Sequence, residues 1–183
     1  MTIKKVKLIR NGCLEVHYID GEGNDVSLKG VNPAHQDMKD AMKRLVPFLC
    51  EITEQLESEK FDWDNPESEA NANLVRNLDV TGVTISGSDT LVSCMLTGKR
   101  TLYVINRVLN LNTPPITLDE ETETYIRLSD LNQAVDAVIE EAKLYVLDHK
   151  YSVKQVQMNF EGSNDPFGDG GEAGESEPLS DAV

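Results

Sequence analysis

The sequence is poor in the residues that carry most catalytic and metal chemistry. Three histidines and three cysteines are spread over 183 residues. His17, His35 and His149 stand apart from one another, and none is read as paired with another His or a Cys in a metal-ligand motif. Cys13, Cys50 and Cys94 form an odd, scattered set without a C-x-x-C, which excludes a disulfide framework and predicts buried free thiols. No apolar run approaches the roughly 20 residues that cross a bilayer, so no membrane partner is expected. Residues 1–7 alternate charged and apolar side chains, unlike the continuous apolar stretch of a signal peptide, and a cytoplasmic protein is expected. Gly21 and Gly23 lack the third glycine and the following helix of a phosphate loop, and no nucleophile elbow is present. Asp62, Asp64, Glu67 and Glu69 offer spaced oxygens, but without the glycine and terminal glutamate of a calcium loop. The expectation is a non-enzyme with no catalytic residue, no metal and no cofactor.

Positive charge is absent from one whole segment. Residues 161–183 hold seven acidic residues and no Lys or Arg. The net charge of −15 is concentrated there, in residues 57–70 and in residues 119–123, which leaves the remainder close to neutral. Gly, Ser, Asp, Glu and Pro dominate beyond residue 160, too few apolar groups to offset ordering entropy. A domain over residues 1–160 with an acidic tail over 161–183 is therefore expected. Only 5% of the residues are aromatic, and the single tryptophan, Trp63, sits in the acidic stretch. It either docks back onto the body or is offered to a partner.

What is present reads as strands and two amphipathic helices. Residues 5–8 and 14–18 alternate in polarity around Asn11 and Gly12, a hairpin signal, and residues 26–29 follow a turn at 21–25. Asn32 as N-cap and Pro33 as first helical residue predict a helix, with Met38, Met42, Leu45, Leu49, Ile52 and Leu56 on its buried face and a kink at Pro47. A long acidic loop over 57–73 follows. Residues 78–80 and 83–85 read as strand, and the parity shift at Gly82 suggests a bulge or bend. Strands at 91–97 and 102–109 are separated by a turn at Gly98, Lys99 and Arg100, and Tyr103, Val104 and Ile105 predict a central strand buried on both faces. A second helix, capped by Ser129, buries Leu131, Val135, Val138, Ala142 and Tyr145. Residues 152–160 read as a last strand. The fold class is α+β: two βββα units whose antiparallel sheet is covered on one face by two helices.

Basic residues give the functional thread. Lys5, Lys7 and Arg10 crowd the first strand, Lys99 and Arg100 a hairpin, and Arg107 the next strand, with Tyr18 and Tyr103 on the same elements. Lys and Arg with aromatics on a sheet face hold single strands, charge following phosphates and rings stacking on bases. An ordinary solvated face is the competing reading. Asp165, Pro166 and Phe167 place one apolar anchor among acids, the makings of a docking peptide or of an internal mimic of nucleic acid.

Val31-Asn32-Pro33-Ala34-His35-Gln36-Asp37-Met38-Lys39, Leu45-Val46-Pro47-Phe48-Leu49-Cys50-Glu51 and Val108-Leu109-Asn110-Leu111-Asn112-Thr113-Pro114 resemble stretches of small uncharacterised proteins encoded by bacteriophages and prophages. The resemblance implies a phage origin, a bacterial host cell and, by neighbouring genes, DNA replication or recombination, but no activity and no site residue. The acidic tail is similar to those of single-stranded DNA-binding proteins, which commonly end on Phe, whereas Phe167 is internal. The expected partners are single-stranded DNA and a replication or recombination protein. The alternative is an acidic decoy of a host DNA-binding or defence protein, using Asp62, Asp64, Glu67 and residues 119–123.

Overall fold

Alternation of apolar and polar residues builds an antiparallel sheet with one buried face. The computed structural model describes residues 1–87, 91–119, 121 and 123–152. They belong to the compact unit Met1–Val153. The strands are β1 (Thr2–Leu8), β2 (Cys13–Ile19), β3 (Asp25–Pro33), β4 (Leu78–Ser86), β5 (Ser93–Leu102), β6 (Arg107–Asn112) and the short β7 (Ile116–Thr117). Their order is β3-β2-β1-β4-β5-β6, so two meanders meet at the β1–β4 seam, while β7 pairs with the start of β5. Asn11 and Gly12 turn the chain between β1 and β2 at φ 63° and 71°, a region open to Asn and Gly at little cost. The parity shift at Gly82 is a bulge, as expected: the β4–β5 register slips between Val80 and Gly82.

Helices α1 (Gln36–Arg44), α2 (Val46–Ile52) and α4 (Leu128–Leu147) lie on one face of the sheet, and α3 (Glu69–Leu74) is a short helix in the acidic segment. Val6, Val16, Val83 and Leu96 face them from the sheet, and Leu131, Val135, Val138, Ala142 and Tyr145 form the expected buried face of α4. All three cysteines are buried and free. Burial pushes the Cys50 and Cys94 thiols up to about 11, which keeps them protonated and unreactive.

Several boundaries differ from expectation for physical reasons. Asn32 and Pro33 extend β3 instead of opening a helix, and His35 caps α1 by accepting from the Asp37 amide at 3.3 Å. The expected kink is a break at Leu45, which puts Pro47 in the first turn of α2, where its missing N–H costs nothing. Leu56 leaves the helical face and is exposed in a 3-10 turn, Leu56–Lys60. Gly98, Lys99 and Arg100 lie inside β5, not in a turn. Gly98 is glycine because Leu49 and the Asp79 carbonyl crowd its α-carbon. The turn falls at residues 103–106, so Tyr103, Val104 and Ile105 are exposed and form no central strand. α4 starts at Leu128 with Arg127, not Ser129, at its N-cap. The first meander is followed by three helical pieces and the second by β7 before α4, so neither half is a plain βββα unit. Tyr151 bridges to Ala34 and the Ser152 amide donates to the Pro33 carbonyl at 2.9 Å. The rest of the expected strand at 152–160 lies outside the described residues, as does the tail with Asp165, Pro166 and Phe167.

Candidate nucleic-acid interface

The sheet face without helices is built by strand register. His17 stands opposite both Lys5 and Ser27, and Lys5 opposite Thr84, which gives one row across four strands. Glu15 stands opposite both Lys7 and Lys29, and Lys7 opposite Gly82, which gives a second row. Asp79, Lys99 and Asn110 make a third. Neighbouring side chains in such rows lie about 5 Å apart. Lys5, Lys7 and Lys29 therefore surround Glu15.

The electrostatics of this cluster are uneven. Lys5 Nζ is 3.6 Å from Glu15 Oε1, and His17 Nε2 is 3.0 Å from the same oxygen. The His17 hydrogen bond holds the Glu15 carboxyl below its ordinary range against a smaller desolvation effect, and the charges of Lys5 and Lys29 act the same way. Lys7 and Lys29 are exposed and form no salt bridge among the described residues. Lys99 pairs with Asp79 at 3.6 Å, with both side chains about half exposed. Arg10 is exposed in the β1–β2 turn.

The other residues expected at this site sit elsewhere. Arg100, adjacent to Lys99 in the chain, points to the helix side. Its guanidinium donates to Glu57 at 2.5 and 3.0 Å and to Gln55 at 2.8 Å, which occupies it. Arg107 shares that side at the end of the sheet, opposite Leu102. Tyr18 packs against the core, and Tyr103 is exposed in the β5–β6 turn. No Phe, Tyr or Trp ring lies on the uncovered face among the described residues, and the His17 imidazole there is hydrogen-bonded to Glu15. Lys29 is the residue that sequence reading left out. Its signal was the alternation of residues 26–29, which the hairpin register carries onto the face of Lys5 and Lys7.

On the helix side the acidic segment is a folded piece, not an open loop. Asn71, 2% exposed, accepts from the Asp62 amide at 3.0 Å and donates to the Asp62 and Asn65 carbonyls at 2.7 and 3.0 Å. Trp63 docks on the body, 5.2 Å from the Phe48 ring and 4.8 Å from that of Phe61, with the Arg127 guanidinium 4.1 Å above it. These rings floor a groove of about 950 Å³ whose rim mixes Asp40, Glu67 and Asp130 with Lys43, Arg44 and Arg76. Asn71→Ala removes the partner of one amide and two carbonyls and is expected to cost about 2 kcal/mol. A red shift of the Trp63 emission at a temperature where the body stays folded would register the release, and an unchanged spectrum with unchanged stability would refute it.

Glu51 ties α2 to the start of α4. It accepts from the Tyr125 hydroxyl and, at 3.4 Å, from Arg127 Nε, and burial pushes the Tyr125 hydroxyl up. Among the described residues no three His, Cys, Asp or Glu side chains cluster to hold a metal ion, and no helix is long and apolar enough to cross a membrane. No family model, no curated protein and no solved structure matches this chain.

Proposed function

We propose that this chain is a non-enzymatic accessory protein of phage DNA replication or recombination that holds single-stranded nucleic acid on its uncovered sheet face. The observation that carries the reading is the cluster of Lys5, Lys7 and Lys29, in which two ammonium groups have no salt-bridge partner among the described residues. Lys99 lies on the same face, paired with Asp79, and Arg10 is exposed in the β1–β2 turn. With no Phe, Tyr or Trp ring on this face among the described residues, affinity comes from phosphates and sequence preference is weak. The acidic segment 161–183 competes with nucleic acid for this face, and Asp165, Pro166 and Phe167 recruit a replication or recombination protein in the host cytoplasm.

Fluorescence anisotropy of a labelled single-stranded oligonucleotide, titrated with the full chain and with residues 1–160 across a salt series, tests this. The shorter form is expected to bind more tightly. Lys7→Glu with Lys29→Glu should reduce the slope of log affinity against log salt by about 1.4, two phosphate contacts' worth. Absence of binding by either form at low salt refutes the proposal.

A second reading is an acidic decoy of a host DNA-binding or defence protein. Asn71 holds the main chain at Asp62 and Asn65, and the Asp64 amide donates to Asp62, which favours it for Asp62 and Asp64, because an ordered acidic surface can imitate spaced phosphates. Competition between this chain and DNA for a basic DNA-binding protein would distinguish it from the first.

A further inference from the structure

Exposed apolar side chains are unevenly spread over the described residues. Ten large ones are exposed, and five of them, Tyr103, Val104, Ile105, Val108 and Leu109, fall within seven consecutive positions of the β5–β6 hairpin. Leu56, also exposed, shares a pocket wall with Tyr103. Single exposed apolar residues are ordinary, whereas a contiguous group marks a contact surface. β6 is also the last strand of the sheet, with no strand on its outer side among the described residues. It carries one charge and no proline, so the usual guards of a sheet edge are missing. The opposite edge, β3, carries Asp25, Lys29 and Pro33 and receives Tyr151 and Ser152 at its end.

We propose that β6 pairs antiparallel with β6 of a second copy of this chain, joining two sheets edge to edge in a symmetric dimer. The hydrogen-bond phase of the hairpin sets the register. The Thr113 amide donates to the Leu96 carbonyl at 3.0 Å. Amides and carbonyls of Leu111, Leu109 and Arg107 thus face β5, and those of Val108, Asn110 and Asn112 face outward. A two-fold axis through Asn110 sets Asn110 against its own copy and Val108 against Asn112, closing about six main-chain hydrogen bonds. Leu109 then stands opposite Leu111 of the second copy on the helix side, and the exposed turn residues reach the second copy beyond its Asn112.

Charge selects a second copy as the occupant. A net −15 opposes the approach of two chains over most of their surface, but residues 101–115 hold Arg107 as their single charge. In the antiparallel register the two Arg107 side chains sit at opposite ends of the paired strands. A self-complementary contact of this kind closes at two and does not propagate into fibres. The proposal is independent of nucleic-acid binding.

Sedimentation velocity of the full chain over a concentration series tests it, with a dimer fraction that rises with concentration expected. Asn110→Pro removes an outward amide and spares the bonds to β5, so dimerisation should weaken at least about tenfold while circular dichroism and the melting midpoint hold. Val108→Lys, which guards the edge with charge, should do the same if the proline variant folds poorly. Asn110→Cys should form a covalent dimer on mild oxidation, because opposed residues of a narrow pair lie about 5.5 Å apart at Cα. Val31→Cys on the other edge should not. A wild type that stays monomeric across the series overturns the proposal. So do two edge variants that dimerise as the wild type does, or equal cross-linking at Val31 and Asn110.

Discussion

Gly98→Ala is expected to destabilise the fold by about 3 kcal/mol, far more than an added methyl group costs at most strand positions. A β-carbon at Gly98 would lie 2.2 Å from Leu49 Cδ2 and 2.6 Å from the Asp79 carbonyl oxygen. The first contact is with a side chain that can rotate away at a packing cost. The second is with the backbone of the neighbouring strand, beside the bulge between Val80 and Gly82, and cannot relax without opening the β4–β5 ladder. Leu49→Ala alone should cost about 3 kcal/mol, since Leu49 is fully buried. The double variant separates the two contacts. If the backbone contact dominates, removing Leu49 rescues little, and the losses nearly add in urea unfolding. A Gly98→Ala variant within about 0.5 kcal/mol of wild type would show that the strand has room that this packing denies.

Arg100→Glu should behave quite differently from Lys99→Glu, although the two residues are adjacent. Arg100 and Glu57 are 22% and 15% exposed at their side chains, and the reversal sets two carboxylates against each other beside Gln55. A loss of about 3 kcal/mol is expected, with any loss of nucleic-acid binding following from unfolding. Restoring the pair in reverse, as Glu57→Arg with Arg100→Glu, should recover part of it. Lys99 and Asp79 are about half exposed, so Lys99→Glu should change stability by less than about 0.5 kcal/mol and show its effect only in binding. Urea unfolding and anisotropy on each single variant decide the matter. An Arg100→Glu protein as stable as wild type but unable to bind would return Arg100 to the phosphate-contacting set.

The parts of the fold that were legible in the sequence are those where a single period ran undisturbed. The three-four spacing from Leu131 to Tyr145 gave α4, and alternation around Asn11 and Gly12 gave the first hairpin. Where a residue type has two uses, the local signal misled. Gly98 read as a turn residue, but it is small because Leu49 packs on it from nearly fifty positions away, an interaction no local pattern encodes. The actual turn is made of Tyr103, Val104, Ile105 and Asn106, with Asn106 taking φ 50° where a glycine would be the usual signal. For the candidate interface, the residue types were legible but not the faces. A strand alternates at every step, so Lys99 and Arg100 part company, and only pairing register brings Lys29 beside Lys5 and Lys7.

The seam between β1 and β4 has a consequence for the order in which this chain can be made. Lys5 pairs with Thr84 and Lys7 with Gly82, so the centre of the sheet is closed by residues nearly eighty positions apart. During synthesis at about 5–20 residues per second, the inner edge of β1 stays bare for several seconds after it has been made. The first meander therefore waits as a three-stranded sheet with a sticky edge, and what completes it is the arrival of the second half. Translation speed through residues 34–84 sets how long the nascent chain is open to mispairing with its neighbours.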